Sequence, residues 1–587
     1  MSNKQQNTLC TKFKGLTRGC GTSVNMVVIG LVALYTTGAL ALGVTELEGN
    51  HVKQFISDDM LLNSDKDPNN WLHYGRDYEG TRFSPLKQVN QDNIGDLVPK
   101  WNLSLGVIGA QDSQVMAVNG RLYVTSSHNR VFSLDGKTGE ILWKYVRSLP
   151  GDLGSKLCCG AVNRGVAVYK DMVFLATLDT YIVALNNTTG EIVWEKKVGD
   201  YKTGEILTSM PMIVDGKVLI GNSGGDLGAN AGTVYALNPD TGDLVWKTHT
   251  VPVTGKEKIA KTWAGDSWKT AGGTPWLPPT YDKETGLVLY GVGNPTPDFD
   301  GDSRLGDNLY TASTVGIDPK TGEIKAHFQY TPNDTWDYDG TNEAIVLTDK
   351  KDRQVYLHAD RNGHLYSIDR NTFKCNWVKP MQRVNWVKSF DKNCRPEVDP
   401  SKRPKIGEET LDIAPTLGGG KEWHPASYSK RTGYVYVPGI DMSMDIKAKK
   451  QEFKPGQWFL SAEILRLNPG AGYIKAFDAT TGELKWMRTQ NTPATSGMLS
   501  TEGGLVFSGD AEGIFRAMND MTGETLWEYN VGSGVHSNPT TYMVGDTQYV
   551  SILVGPGGGS LWPLVYGEFF KKHNKGGALY VFALHNK

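Results

Sequence analysis

The chain is 587 residues long, and its 61 Lys and Arg residues almost balance its 63 Asp and Glu residues, which gives a formal net charge of −2. Its 39% of hydrophobic residues can form a large core, which excludes global disorder. No block of Lys or Arg follows the extreme N-terminus, so the sequence lacks the electrostatic signature of a nucleic-acid-binding protein. The 68 glycines lie mainly in short turns between β-rich segments and predict many strands.

The first 43 residues predict a secretory signal peptide that directs the protein to the periplasm. They contain basic residues such as Lys12 and Arg18 but no Asp or Glu, and an apolar run over 26–42 includes the small residues Ala39 and Ala41 near its end. An uncleaved anchor helix is the alternative, because the run approaches the roughly 20 apolar residues that span a bilayer. Under both interpretations, residues 44–587 form the exported domain.

Four cysteines lie beyond this segment: the adjacent Cys158 and Cys159, and the separate Cys375 and Cys394. Because an exported domain can be oxidised, we predict a structural disulfide between Cys375 and Cys394. The adjacent pair is either two inert thiols or a vicinal disulfide. The sequence contains no C-x-x-C-H motif and therefore no covalently attached c-type haem, so electrons from any redox reaction must pass to another protein.

One phrase recurs along the chain: a strand, a turn containing Thr-Gly, and a second strand that ends in Trp. The turn begins at Asp135, Asn186 and Asn238 in the first three copies, which are 51 and 52 residues apart. Further copies, some degenerate, end at Tyr290, Ala326, Trp377, Trp486 and Trp527. This period fits four-stranded blades, so we predict an all-β fold, a single eight-bladed β-propeller that the strand near Trp101 helps to close. A stack of β-sandwiches is the alternative, but it would need linkers that the sequence lacks.

Loops between the repeats contain candidate ligands for a hard cation. Asp337 and Asp339 lie two positions apart, which places both carboxylates on one face of an extended segment, where they repel unless a cation separates them or one is protonated. Asp226 and Asn294 offer further oxygen ligands in other loops. Oxygen ligands without His or thiolate favour Ca²⁺ or a more highly charged ion. Simple solvation of the acidic pair is the alternative.

Trp276 lies outside the repeated phrase, unlike the Trp residues that we expect between blades. A vicinal disulfide at Cys158 and Cys159 would present one flat face and Trp276 a second, between which a planar cofactor can stack. A further Trp between blades is the alternative.

In combination, these motifs resemble the methanol and ethanol dehydrogenases that depend on pyrroloquinoline quinone (PQQ). The resemblance rests on the Trp repeats, on Cys158-Cys159 followed by Val162-Asn-Arg-Gly165, on Gly-Asn-Pro at 293–295, on Trp-Asp-Tyr-Asp-Gly at 336–340 and on Asp360-Arg-Asn-Gly363. Several independent motifs in the same order cover nearly all of the chain after the signal, which makes the resemblance specific. It implies a quinoprotein alcohol dehydrogenase.

The resemblance also implies roles for individual residues. PQQ would be enclosed between Trp276 and a vicinal disulfide of Cys158 and Cys159. Its polar groups would contact Asp112, Arg164, Thr177, Ser223, Gly224, Gly225 and Arg361. One metal ion would be ligated by Asp226, Asn294, Asp337 and Asp339. Family members with a second Asp at the position of Asp339 use a lanthanide rather than calcium, so the resemblance favours a lanthanide and keeps calcium as the alternative.

The reaction follows from the same resemblance. The metal ion would polarise a quinone carbonyl, Asp337 would remove the hydroxyl proton of a primary alcohol, methanol above all, and hydride would pass from the alcohol carbon to PQQ. A c-type cytochrome would then take the electrons one at a time. Three residues depart from the family pattern: Asp226 and Asp112 replace Glu, and Ile440 lies near the place of a usual Asn.

Other functions stay open at this point. A calcium enzyme of the same family would act on ethanol or larger alcohols, and a related quinoprotein would oxidise carbohydrates. A non-catalytic scaffold propeller of the cell envelope would keep the Trp repeats, but it has no reason to keep Asp337 and Arg361 together with the adjacent cysteines. The sequence does not decide between a monomer and a homodimer.

Overall fold

The computed structural model describes residues 45–46, 54–109, 111–157, 159–227, 231–555 and 575–585. The predicted signal peptide at 1–43 and Cys158 therefore lie outside the described residues. Within the described ranges the structure is nearly all β, with 39 strands, one short α-helix at Asp58–Leu62 and eight 3₁₀ helices. The 3₁₀ helices span Ile94–Asp96, Leu153–Lys156, Tyr201–Thr203, Gly225–Leu227, Lys258–Thr262, Ser267–Thr270, Gly301–Arg304 and Pro400–Lys402. None of the described helices is long and apolar enough to cross a membrane.

Eight sheets of four or five strands, numbered 1 to 8 by chain position, make up most of the described structure. Sheet 1 contains Met116–Val118, Arg121–Ser126, Arg130–Asp135 and Ile141–Val146, with Thr45–Glu46 along its last strand. Sheet 2 contains Ala167–Tyr169, Met172–Ala176, Tyr181–Asn186 and Ile192–Lys197. Sheet 3 contains Met212–Val214, Lys217–Gly221, Thr233–Leu237 and Leu244–His249. Sheet 4 contains Thr280–Asp282, Leu287–Val292, Ser313–Ile317 and Ile324–Gln329.

The remaining sheets follow the same pattern of antiparallel neighbours. Sheet 5 contains Ala344–Thr348, Gln354–Ala359, His364–Asp369 and Cys375–Pro380. Sheet 6 contains Ser427–Ser429, Tyr434–Ile440, Gly472–Asp478 and Leu484–Gln490. Sheet 7 contains Leu499–Thr501, Leu505–Gly509, Ile514–Asn519 and Thr525–Asn530, with Phe83–Ser84 added in parallel. Two smaller sheets pair Val387–Phe390 with Pro396–Val398, and join Glu409–Ile413, Ser443–Ala448 and Ala462–Asn468.

Sheet 8 is built from both ends of the domain. Its strands Thr540–Val544, Thr547–Val554 and Gly576–Leu584 come from the C-terminal end. Its fourth strand, Leu97–Ile108, comes from the N-terminal end and pairs antiparallel with Gly576–Leu584, with Trp101 opposite Val581. The strand near Trp101 therefore adds to the last sheet, as the sequence predicts.

Burial decreases from the second to the fourth strand within a sheet. In sheet 2, all five residues of Met172–Ala176 are buried, whereas most of Ile192–Lys197 is exposed. A continuous apolar run such as Met-Val-Phe-Leu-Ala is typical of a strand covered on both faces. The buried second strands therefore give the loops that follow them a well-packed starting point.

Tryptophan side chains connect neighbouring sheets. Trp143, in the last strand of sheet 1, packs against the turn of sheet 2, where a Cβ atom on Gly190 would lie 2.6 Å from its ring. Its indole N–H donates a hydrogen bond to the Asn187 carbonyl oxygen at 3.0 Å. The same packing recurs at Trp101 and Gly139, Trp194 and Gly242, Trp246 and Gly322, Trp377 and Gly482, and Trp486 and Gly523. The repeated Trp thus packs between sheets, as its period predicts.

Replacing Gly190 by alanine should destabilise the protein, because the added methyl group would collide with Trp143. Gly216→Ala is the matched control, since Gly216 has a similar φ of 65° against 76° at Gly190, but no atom lies within 4 Å of its added Cβ. We expect Gly190→Ala to lower the free energy of unfolding by about 2 kcal/mol more than the control. Urea denaturation measures both, and equal losses would show that the ring contact adds no stability.

The predicted disulfide between Cys375 and Cys394 is confirmed, with a Cα–Cα distance of 6.0 Å. It fastens the last strand of sheet 5 to the loop that precedes Pro396–Val398. The vicinal disulfide stays a prediction, because Cys158 lies outside the described residues.

Candidate active site

A cavity of about 620 Å³ brings together residues that are far apart in the sequence. The predicted residues that line it are Asp112, Cys159, Arg164, Ser223, Gly224, Gly225, Asp226, Trp276, Asn294, Asp337, Asp339 and Arg361. Among the predicted residues that the structure describes, only Thr177 does not line this cavity. The sequence motifs therefore converge on one site.

Three of these side chains occupy the same place in successive sheets. Ser223, Asn294 and Arg361 each lie two residues after the buried second strand of sheets 3, 4 and 5. The chain therefore leaves the second strand of each of these three sheets in the same way. Because each strand is packed on both faces, the loop that follows starts from a fixed point, which is the arrangement that a precise binding site requires.

Asp337 and Asp339 have left-handed backbone conformations, with φ angles of 64° and 51°. Asp tolerates this region better than most residues, but the conformation still has to be held in place. The carboxylate of Asp334 holds it, because it accepts hydrogen bonds from the backbone N–H groups of Trp336 at 2.9 Å and Tyr338 at 2.8 Å. The Trp336 and Tyr338 rings are buried and stack at 5.6 Å. Hydrogen bonds and ring packing therefore hold residues 334–339 in a turn.

The Asp337-Tyr-Asp339 segment is not extended, because both acids have left-handed φ angles, but both carboxylates still line the same cavity. Asp339 interacts closely with the guanidinium of Arg361 and accepts a hydrogen bond from the Asn294 backbone N–H at 2.7 Å. Asp337 approaches the same guanidinium to 3.7 Å. The two acids therefore share Arg361, although they lie in a turn.

Asp337 instead belongs to a cluster of three carboxylates. One oxygen each of Asp226, Asp298 and Asp337 lies within 4.8 Å of the others. Burial, together with the charge of Asp339, raises the pKa of Asp226 to about 6. Burial also raises the pKa of Asp298 and of Asp337 well above the ordinary value, although Arg361 opposes this at Asp337. Such a cluster is favourable when a cation neutralises it.

Aromatic rings surround Arg164 on the other side of the cavity. Its guanidinium carbon lies 5.0 Å from the Trp276 ring and 4.7 Å from the Trp423 ring. The guanidinium also donates a hydrogen bond to Thr208 Oγ1 at 2.9 Å, and Thr208 is 2.7 Å from Ser223 Oγ. Flat indoles beside a cation and hydroxyl groups suit a planar molecule with anionic substituents.

Thr177, a predicted cofactor contact, does not line the cavity. Its hydroxyl donates a hydrogen bond to Asp179 Oδ1 at 2.6 Å and accepts one from the Tyr181 N–H at 3.0 Å, which turns it into its own sheet. Thr208 lines the cavity in its stead and contacts Arg164. Thr177 directly follows the second strand of sheet 2, so its position alone does not distinguish it from a site residue.

Several lining residues were missed by the sequence reasoning. Trp423 and His424 lie outside the repeated phrase, as Trp276 does, and this signal could have identified them. His536 also lines the cavity, and burial lowers its pKa to about 4, so it is neutral at physiological pH. Asp298 comes directly after the Gly-Asn-Pro-Thr-Pro segment at 293–297, but nothing in that position distinguishes it from the exposed Asp302 nearby.

Cation binding at the acid cluster should weaken as pH falls. The pKa of Asp226 is about 6 in the folded protein, against an ordinary 3.8, so without a cation the folded state loses stability as pH rises through this window. A cation requires the deprotonated carboxylates, so its affinity should rise as pH increases, because burial raises the pKa of Asp298 and Asp337 as well. Calorimetric titration of Ca²⁺ between about pH 5 and 8 tests this, and a constant affinity would contradict it.

The side chains around the cavity fit a planar anionic quinone and one hard cation. The buried Nε atoms of Arg164 and Arg361 have no hydrogen-bond partner among the described residues, and a carboxylate or carbonyl oxygen would supply one. Trp276 offers a stacking face, and the clustered carboxylates offer oxygen ligands. PQQ together with a metal ion matches this set of groups.

Repeated four-stranded sheets and a cavity that combines indoles with buried carboxylates define an all-β protein that holds a planar cofactor beside a hard cation. More narrowly, the family described as the β-propeller domain of PQQ glucose, ethanol and alcohol dehydrogenases matches residues 71–378 and 487–550. The chain belongs to this family. The family predicted from the sequence is therefore confirmed, and the protein is a quinoprotein alcohol dehydrogenase with a β-propeller domain.

Individual relatives are similar along most of the chain. The quinoprotein alcohol dehydrogenase PedH of Pseudomonas putida is 39% identical over 560 residues, covering 90% of this chain and 93% of that protein. The lanthanide-dependent methanol dehydrogenase of Methylacidiphilum fumariolicum is 34% identical over 90% of this chain and 94% of its own. A solved structure of a europium-containing methanol dehydrogenase, 34% identical, aligns with a TM-score of 0.86 over 90% of this chain and 100% of its own.

Proposed function

We propose that this protein oxidises a primary alcohol, methanol above all, to the aldehyde, using PQQ and one metal ion. The observation that carries the proposal is the cluster of Asp226, Asp298 and Asp337 beside Arg361 and Trp276 in one cavity of a quinoprotein. A cavity that only needed packing would not bury three carboxylates within 4.8 Å of one another, because their repulsion costs folding free energy.

The cofactor would be held by stacking and by charge. Trp276 would cover one face of PQQ and a vicinal disulfide of Cys158 and Cys159 the other. The remaining contacts would come from Asp112, Arg164, Ser223, Gly224 and Gly225, with Arg361 beside the reactive carbonyl. Bound PQQ supplies a carbonyl that accepts hydride, and the metal ion makes this carbonyl more electrophilic.

Asp337 is the base in this scheme. Its carboxylate lies in the cavity, where burial raises its pKa and so makes it a stronger proton acceptor than an exposed Asp. Arg361, 3.7 Å away, stabilises the ionised form that has to accept the alcohol proton. Arg361 also holds Asp339, which keeps a second negative charge beside the base.

The metal ion in this proposal is a lanthanide, with Asp226, Asn294, Asp337 and Asp339 as ligands. The support is electrostatic, because a trivalent ion gains more than Ca²⁺ does from each additional anionic ligand.

We also propose that sheets 1 to 8 are the eight blades of one propeller over 44–587. Residues 1–43 are in this proposal a signal peptide for export to the periplasm, and a c-type cytochrome accepts the electrons.

Reconstitution tests this function directly. Metal-free protein receives PQQ with either La³⁺ or Ca²⁺, and dye-linked oxidation is measured with methanol, ethanol, 1-butanol and glucose. We expect quinone absorbance in the protein and methanol oxidation with La³⁺. Activity with Ca²⁺ alone would identify a calcium enzyme, and activity confined to the larger alcohols or to glucose would change the substrate. A protein that binds no quinone would be a scaffold and not an enzyme.

A further inference from the structure

We infer that Asp298 is a ligand of the bound cation, in addition to the four ligands that the family resemblance implies. The inference rests on the proposed function for the presence of a cation, but it depends on the side chains of this chain alone. It identifies a carboxylate that the sequence motifs do not mark as part of the metal site.

The carboxylate of Asp298 is buried and makes no hydrogen bond to the described residues. Its side chain lines the cavity and is 1% exposed. Neither carboxylate oxygen has a hydrogen-bond partner among the described residues. A buried carboxylate in this state costs several kcal/mol, so it is expected only where a ligand supplies the missing interaction.

The buried guanidinium of Arg304 makes no hydrogen bond to this carboxylate. Arg304 donates its N–H groups to the backbone carbonyl oxygens of Pro297, Asp298 and Asp334 and to Asn308 Oδ1. These bonds hold the backbone at Pro297 and Asp298 in place. The guanidinium therefore positions the residue, while the carboxylate stays directed at the cavity.

The distances suit one shared ion. Protein oxygens lie about 2.3–2.6 Å from Ca²⁺, so two ligands on opposite sides of one ion of this size are about 5 Å apart. One oxygen of each of Asp226, Asp298 and Asp337 lies within 4.8 Å of the others. A single cation between them can therefore contact all three carboxylates.

Charge suggests which ion Asp298 favours. Asp339 pairs with Arg361, which also lies 3.7 Å from Asp337, and Asp226, Asp298 and Asp337 bring three carboxylates to one place in the cavity. Several carboxylates around one ion favour a trivalent ion over Ca²⁺. We expect selectivity for a trivalent ion over Ca²⁺ to depend on Asp298 at least as strongly as on Asp339.

Luminescent Eu³⁺ is the probe for this inference. The full-length protein is stripped of metal, and Eu³⁺ and Ca²⁺ affinities are measured for the wild type and for Asp298→Asn, which preserves volume and removes the charge. We expect Eu³⁺ binding to weaken at least about tenfold, and Ca²⁺ binding to weaken less. In Asp298→Ala, luminescence lifetimes in H₂O and D₂O should reveal about one additional water on Eu³⁺, since the carboxylate no longer occupies that position.

Asp302→Asn is the matched control, because it removes the same charge from a nearby side chain that is 57% exposed. It should leave the Eu³⁺ affinity and the water count unchanged. If the alanine variant does not fold, the asparagine variant decides through its Eu³⁺ affinity, with circular dichroism as the check on its fold. If Asp298→Asn keeps the wild-type Eu³⁺ affinity and the wild type oxidises alcohol, the inference is wrong and the proposed function still stands. A wild type that binds neither PQQ nor Eu³⁺ would overturn the proposed function and the inference with it.

Discussion

Replacing Asp337 by asparagine should lower kcat for alcohol oxidation by roughly 100- to 10,000-fold, the usual contribution of a positioned general base. The amide keeps an oxygen that can face the cation but cannot accept the alcohol proton. The loss should therefore exceed any loss of metal content, which elemental analysis of the purified variant measures. Stopped-flow reduction of the bound quinone by alcohol separates this chemical step from later electron transfer.

The control for Asp337 is Asp352→Asn. Asp352 also has a left-handed backbone, with a φ of 57°, but its side chain is exposed at the surface. Asp352→Asn should leave kcat unchanged. A lower kcat in this control would show that replacing Asp by Asn in a left-handed turn reduces activity in general. An Asp337→Asn variant that retains its metal and stays within about threefold of the wild-type kcat would show that another group removes the proton.

Replacing Arg361 by methionine should destabilise the cofactor-free protein by about 3–5 kcal/mol, which is the cost of breaking a buried ion pair from one side. Arg361 contacts Asp339 and lies 3.7 Å from Asp337, and its own side chain is 8% exposed. Methionine fills the space but leaves the negative charges of both acids without a counterion. Urea denaturation measures the loss of free energy of unfolding.

Two further variants separate charge from packing at Arg361. The double variant Arg361→Met with Asp339→Asn should recover part of the stability, because one of the two unpaired charges is gone as well. Arg395→Met is the surface control: Arg395 pairs with Asp307, but the two side chains are 52% and 40% exposed, so the loss should stay below about 1 kcal/mol. A double variant as unstable as Arg361→Met alone would show that packing, not charge, dominates.

Some features of the fold follow from short stretches of sequence, and these were predictable. Gly190, in the turn of sheet 2, has no room for a side chain, because any Cβ there would meet the indole ring of Trp143 from sheet 1. The Thr-Gly turn and the Trp belong to one repeated phrase, so the sequence reveals both without a structure. The disulfide of Cys375 and Cys394 was equally accessible, since few cysteines remain once the N-terminal segment is set aside.

The neighbours of each acid in the site were not predictable in this way. Asp337 and Asp339 both approach Arg361, yet only Asp337 belongs to the cluster of three carboxylates. Thr177 directly follows a buried second strand, as a site residue could, but its hydroxyl bonds to Asp179 and it does not line the cavity. Local hydrogen bonds and dihedral angles decided these outcomes, and no sequence spacing encodes them.

The sequence by itself determined the all-β repeat, the quinoprotein family and twelve of the residues that line the cavity, because periodic turns and short motifs are local properties of the chain. Only the tertiary structure decided which carboxylates can share one cation. Asp298 lies beside Asp226 and Asp337 with no hydrogen-bond partner among the described residues, because the guanidinium of Arg304 bonds to backbone carbonyls and to Asn308. Charge pairing among residues distant in sequence is settled by distance and burial, which exist only in the folded protein.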